Sequence, residues 1–245
     1  MVTLIIPFYN CEKTVENTVI EVKKYIELNR SMEFIAVDDG STDGTLNTLK
    51  SLEDGFMRVV GYEKNKGKGG AIQAGVAAAK GDKIAFTDAD LAYGLEPLER
   101  FVAALDMVDI AVGTRREDHG IAKRYGFLRT VASNAFSALC ESMLHLGLSD
   151  TQCGFKAYRA EVAKELFAQL SVMDFGFDFE ILAMARNKKY SIVSVPVTLL
   201  NNAASSNVRV FKDGFKLLCE ICTIRKKSNS QTESKPSEKR LSLGG

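Results

Sequence analysis

A chain of 245 residues with 46% apolar content and 26% charged residues can bury a substantial core, and one large domain, or one domain with an appendage, is expected. The formal net charge is +1, but residues 225–245 carry +4 and leave −3 on residues 1–224, so a basic C-terminal end is hidden in a near-neutral total. No apolar stretch approaches the ~18 residues of a membrane span and the chain enters on Val2-Thr-Leu-Ile-Ile-Pro7 without a positive leader region, so neither a bilayer span nor export is expected.

Short β-rich runs alternate with helical patterns through the first half. A run at residues 4–7 precedes a helical pattern over 14–28, 34–37 precedes 45–52, 58–62 precedes 69–79, and 83–86 precedes 95–105, with a last run at 110–113. That spacing predicts an α/β fold: a doubly wound, mostly parallel sheet with right-handed crossovers and helices on both faces. Function then belongs at the carboxyl ends of the strands.

After Gly113 the pattern changes. Residues 126–146 carry an apolar stripe at Phe127, Leu128, Val131, Ala135, Leu139, Met143 and Leu146, with Arg129, Ser133 and Asn134 off it. A second amphipathic segment over residues 208–224 ends in the basic run Arg225-Lys-Lys227. A core helix and a helix in an anionic membrane interface are both open for it. Beyond Ser228 the Ser, Lys, Glu and Pro content predicts a disordered tail. The division expected is therefore a domain over 1–224 and a basic tail over 225–245. Five scattered cysteines argue against a disulfide framework and for a reducing cytosol. Cys219-x-x-Cys222 has no second ligand pair and is read as packing.

Three strand ends carry polar clusters: Pro7-Phe-Tyr9-Asn10, Asp38-Asp39-Gly-Ser41 and Asp88-Ala-Asp90. Ser41-Thr-Asp43 is read as the cap of the next helix, which leaves Asp38 and Asp39 unexplained by capping. Two carboxylates at the end of a buried strand ask for a cation, and Mg²⁺ or Mn²⁺ takes carboxylate oxygens while keeping positions for phosphate oxygens. Alone, Asp-x-Asp favours an Asp-capped turn; its company changes that. Asn65-Lys-Gly67-Lys68-Gly69-Gly70 is a glycine-rich turn entering a helix, where free N–H groups favour phosphate. Gly113-Thr-Arg115-Arg116 offers guanidinium groups suited to bidentate phosphate contacts, or ordinary solvated arginines.

The ordered set of Ile6–Glu12, Val37–Asp43, Asn65–Ala71, Asp88–Asp90, Gly113–Arg115, Arg129 with Ser133 and Asn134, and Asp150-Thr-Gln-Cys-Gly-Phe-Lys156 resembles the inverting family 2 glycosyltransferases of GT-A fold. Within them it is most similar to the polyprenyl-phosphate sugar synthases, over residues 2 to about 220. The resemblance implies that Pro7, Tyr9, Glu12 and Asp39 hold the base and ribose of a nucleotide sugar, UDP-glucose or GDP-mannose, with Lys68 and Asp88 on the same donor. It further implies that Asp88 and Asp90 manage the metal and sugar diphosphate, and that Arg115, Arg129 and Ser133 grip the phosphate of a polyprenyl or dolichyl phosphate. Asp88, Asp90, Arg115 and Arg129 are the catalytic candidates. Mannose synthases of the group commonly show Asp-Ala-Asp-x-Gln; Ala92 stands at the Gln position, which favours the glucosyltransferase-like branch. The setting implied is the cytoplasmic face of a membrane, with room for a small membrane-anchoring subunit and no nucleic-acid partner. Two other readings stay open: transfer to a saccharide hydroxyl with Asp178 as base, and a nucleotide-sugar-binding subunit without turnover.

Overall fold

A computed structural model describes residues 1–28, 32–115, 147–148, 150–174 and 176–200. In chain order they form β1 (Val2–Phe8), α1 (Val15–Leu28), β2 (Met32–Asp38), α2 (Thr45–Ser51), β3 (Met57–Gly61), α3 (Lys68–Ala78), β4 (Lys83–Phe86), α4 (Leu98–Ala104), β5 (Ile110–Thr114), β6 (Lys156–Arg159), α5 (Ala160–Ala168), α6 (Phe177–Asn187) and β7 (Ile192–Pro196). The seven strands make one sheet in the order β3-β2-β1-β4-β6-β5-β7. All neighbours are parallel except β6, which runs antiparallel to both β4 and β5.

The central strands read as continuous apolar runs because both faces are covered. Leu4, Ile6 and Phe8 of β1 pack with Val15, Val19, Val22 and Ile26 of α1 and with Leu98 and Phe101 of α4. Ile5, between them, faces the opposite layer with Ile72 and Val76 of α3, Phe167 of α5 and Phe177 of α6. The expected doubly wound arrangement is therefore observed. In α3 a Cβ on Gly75 would lie 2.5 Å from Ile5 Cγ2, so this glycine sets how closely the helix lies on β1.

Pro7 lies in the central strand β1 and has no N–H to give the ladder. Phe8 O accepts from Asp39 N on the β2 side and Ile5 O from Thr87 N on the β4 side, so alternate residues of β1 face alternate neighbours. Pro7 faces β4 two residues beyond Ile5, past the Ile5–Phe86 pair where that ladder ends, so the missing N–H falls at the end of the pairing.

Strand order reverses between β1 and β4, and loops leaving the carboxyl ends on either side of such a reversal open a crevice. Because β6 is antiparallel, its first residue, Lys156, lies opposite Phe86 and Val112 at that same edge. β6, β7, α5 and α6 lie beyond the elements legible in the first half. The amphipathic segments at 126–146 and 208–224 and the tail at 225–245 fall outside the described residues. No helix among the described residues is long and apolar enough to cross a membrane.

Candidate active site at the carboxyl edge of the sheet

At the end of β2, Asp38 and Asp39 are both buried, and they face different tasks. Asp39 closes on the loop that leads into α3. Its Oδ1 accepts from Tyr62 Oη at 2.6 Å and Lys66 N at 2.8 Å, and its Oδ2 from Asn65 Nδ2 at 2.9 Å. The Lys66 ammonium caps the arrangement 4.3 Å above the Tyr62 ring. Burial and the Asp39 carboxylate push the Tyr62 hydroxyl far above its usual pKa, keeping it a donor. Asp38 accepts from Ser41 N through Oδ2, while its buried Oδ1 has no partner among the described residues. The acceptor left open at this strand end thus belongs to Asp38, and Asp39 serves the loop.

The loops after β1 and β2 are stitched together. Asn10 N donates to Ser41 Oγ, Thr42 N donates to Asn10 Oδ1, and Glu12 N donates to Asp43 Oδ2. Asp43 also accepts from Thr45 N at the start of α2, the capping role read for this stretch, although the residue next to the helix is Gly44. Glu12 lies over Gly44, where a Cβ would approach its Oε1 to 2.2 Å. Pro7 is half-buried at the rim, and Tyr9 is 50% exposed, an aromatic face open to a ligand.

The glycine-rich turn departs from the phosphate reading. The N–H groups of Gly69 and Gly70 both donate to Met173 O, at 2.7 and 3.3 Å. A Cβ on Gly69 would sit 2.6 Å from Phe177 Cβ, and one on Gly67, at φ +84°, 2.5 Å from Asp174 Oδ1. These glycines admit the chain entering α6, so the amides that sequence reasoning offered to a phosphate are spent inside the protein.

At the end of β4, Thr18 Oγ1 holds Ala89 O at 2.8 Å, and Leu91 N donates to Asp88 O. Asp88 Oδ1 is ion-paired with the Lys68 ammonium. Its other oxygen occupies the space over Gly154, where a Cβ would come within 2.0 Å. Asp90 Oδ1 accepts from Ala92 N at 3.1 Å. Asp90 is an exposed residue, but loss of hydration around its carboxyl and then the like charge of Asp88 hold it above its ordinary pKa. Burial works against the Lys68 ammonium, yet Asp88 and Asp178 more than reverse it.

Two further ion pairs flank this centre. Arg115, just past β5, donates to Asp150 bidentately, Nε to Oδ2 at 2.7 Å and Nη2 to Oδ1 at 2.8 Å, with its backbone N on Oδ2 at 3.0 Å. Burial opposes both charges, but the pairing wins: Arg115 ends above its usual pKa and Asp150 below the usual carboxylate range. Lys156 is fully buried, donates to Cys153 O at 2.6 Å, and pairs with Asp178 Oδ1 at 2.7 Å. Burial raises the Asp178 carboxyl against the pull of Lys156 and Lys68.

Of the residues expected from sequence, Pro7, Tyr9, Glu12, Asp39, Lys68, Asp88, Asp90 and Arg115 all lie along this one edge of the sheet. Arg129 and Ser133 lie outside the described residues. Sequence reasoning missed the Arg115–Asp150 and Lys68–Asp88 pairs and the Lys156–Asp178 pair beneath them, because each joins positions far apart in the chain. The only local hint was an acid and a lysine bracketing the apolar run at 150–156. No three His, Cys, Asp or Glu side chains gather as a metal cage among the described residues. An ion here would depend on Asp88, Asp90 and oxygens brought by a ligand.

The sheet order with its antiparallel sixth strand, and an acidic pair at the switch point, define a GT-A type α/β protein. Glucosyl-3-phosphoglycerate synthase from Mycobacterium tuberculosis, in complex with UDP, superposes with TM-score 0.69 at 18% identity over 92% of this chain and 80% of that one. Another crystal structure of the same enzyme, holding Mn²⁺, UDP and glucosyl-3-phosphoglycerate, gives 0.68. The chain belongs to glycosyl transferase family 2, whose model matches residues 3–167. It is 33% identical to the dolichyl-phosphate beta-glucosyltransferase of Homo sapiens over 214 residues, 80% of this chain and 66% of the human one. The Dictyostelium discoideum protein of the same name is 27% identical over 91% of this chain and 73% of its own length. The glycosyltransferase AglD of Haloferax volcanii is 31% identical over 80% of this chain and 32% of its own. The chain spans less than two thirds of the length of the human and Drosophila melanogaster relatives, at 66% and 65%.

Proposed function

We propose that this protein is a hexosyltransferase that moves glucose, or mannose, from a nucleoside diphosphate sugar to a polyprenyl or dolichyl phosphate. The observation that carries the choice of acceptor is the state of Asp178. The carboxylate best placed to serve as a general base is buried on Lys156, while the same edge offers cations in Lys68 and Arg115. A phosphate monoester is largely dianionic near neutral pH, with a second pKa of about 6, and attacks without a base. It needs charge screening and positioning, which arginines supply.

Tyr9 with Pro7, Glu12 and the open Asp38 oxygen would receive the base and ribose, with Asp39 fixing the loop beneath. Mg²⁺ or Mn²⁺ fits the remaining donors, since Asp88 and Asp90 are two like charges whose repulsion a cation relieves. When bound, the ion neutralises the departing nucleoside diphosphate. Arg115, pre-set by Asp150, with Arg129 and Ser133, would hold the acceptor phosphate behind the anomeric carbon. In-line attack forms the new C–O bond as the bond to diphosphate breaks, converting an α-linked donor to a β-linked lipid-phosphate sugar. The segments at 126–146 and 208–224 and the basic tail would bring the domain, residues 1–224, to the cytoplasmic face of a membrane. A small anchoring subunit remains a candidate partner there.

Gly154→Ala should push the Asp88 carboxylate off its place and weaken donor binding by ~10- to 100-fold with little change in melting temperature. Calorimetric titration of UDP with Mn²⁺ measures it, and an unchanged affinity counts against Asp88 as a donor ligand. The function itself is tested by offering UDP- and GDP-sugars with Mn²⁺ to a short polyprenyl phosphate, to the matching polyprenol and to free saccharides. Product on the phosphate alone is expected. Transfer to hydroxyls would favour the Asp178 reading; nucleotide bound but never released would favour a binding subunit.

A further inference from the structure

Lys68 stands where a helix least tolerates a cation. It is the first residue of α3, and the aligned amides there carry partial positive charge of their own. The ammonium is held against that field by Asp88, with Asp178 close enough to raise its pKa as well. This is not a loose surface bridge: the two side chains are only 18% and 36% exposed. Nor is it propped by a mobile turn. Asp39 pins Lys66 N and Asn65 on one side, and Met173 O holds Gly69 and Gly70 on the other. An ion arriving at Asp88 and Asp90 therefore finds the first of these carboxylates already taken by a positive charge at a fixed address.

We infer that Lys68 is an exchange cation: it occupies Asp88 while the donor is absent, yields that carboxylate to the divalent ion, and passes to the donor diphosphate when ion and nucleotide arrive together. The inference rests on the metal-assisted donor binding proposed above. The chemistry suits a lysine, a compact charge on a flexible four-carbon stem that can leave one anion for another, where a guanidinium fork would be committed to a geometry. A lysine in this role has two opposite effects. It competes with a bare ion, and it strengthens the binding of an ion carrying a diphosphate. The empty enzyme would thus hold little metal, and would take up ion and nucleotide as a pair.

The full-length chain carrying Lys68→Met tests this, with Mn²⁺ binding followed by the electron paramagnetic resonance signal of the free aquo ion and UDP binding followed by calorimetry. Removing a unit charge beside the site is expected to tighten Mn²⁺ alone by about tenfold, and to weaken UDP in the presence of Mn²⁺ by about tenfold. Lys68→Arg, which keeps the charge, is expected to leave Mn²⁺ alone as weakly bound as in the wild type. Should Lys68→Met fold poorly, Lys68→Gln is measured in its place against the same two ligands. Two affinities that fall together, or neither moving, would make Lys68 a structural residue and overturn the exchange. If the wild type binds UDP but takes up no Mn²⁺ with it, the metal-assisted reading fails first, and the exchange with it.

Discussion

Asp90→Ala is expected to lower hexosyl transfer by about a thousandfold, since several kcal/mol of leaving-group charge stabilisation depends on the ion this residue would hold. Of the two carboxylates, Asp90 is the one not committed to an internal cation. Asp88 is paired with Lys68, whereas the described partner of Asp90 is the neutral Ala92 amide. Its carboxyl is raised by partial loss of hydration beside another negative charge, a repulsion that a cation would relieve. The fold should survive, because Asp90 packs at the rim and bonds only two residues along. Turnover of a UDP-sugar with polyprenyl phosphate is the measurement, run across a Mn²⁺ series. The wild type should show saturable metal dependence and the variant a flat, low rate. A variant retaining more than a tenth of wild-type turnover would remove Asp90 from the chemistry.

The second large effect concerns stability. Asp178→Ala should destabilise the protein by about 3–5 kcal/mol, because it leaves the fully buried Lys156 ammonium without its counter-charge. The double replacement Lys156→Met with Asp178→Leu should recover most of that loss, since a buried ion pair exchanged for apolar side chains of similar volume is often close to neutral. Urea unfolding midpoints of the single and double variants decide this. The pair also separates two mechanisms. If Asp178 were a general base, the double variant would be stable yet lose at least ~100-fold in turnover. If it is a partner for Lys156, stability and turnover should return together.

Much of this architecture could be read from residue order, and the reason is physical. β1, β2, β4 and β5 are covered on both faces, so each appears as an uninterrupted apolar run, and the site lies where those runs meet polar residues. What stayed hidden depends on distant partners. Lys156 is invisible as a core residue until Asp178 arrives from α6 to pair with it. Gly67 and Gly69 signal that something approaches closely, but only the folded chain shows that the visitors are Met173, Asp174 and Phe177. Likewise, Asp38 and Asp39 are adjacent and chemically identical in sequence. The loop bearing Tyr62, Asn65 and Lys66 selects Asp39 and leaves the Asp38 oxygen open.

The reversed sixth strand brings the two ends of the chain between β5 and β6 together. Because Val112 of β5 lies opposite Lys156 of β6, the stretch between the two strands starts and finishes about one strand spacing, ~5 Å, apart. Gly113 N on Phe155 O and Arg115 N on Asp150 clamp its two ends. Such a stretch is expected to tolerate changes of length without disturbing β1, β2 and β4. A change of length there is expected to leave the strand ends that carry Asp39 and Asp88 where they are.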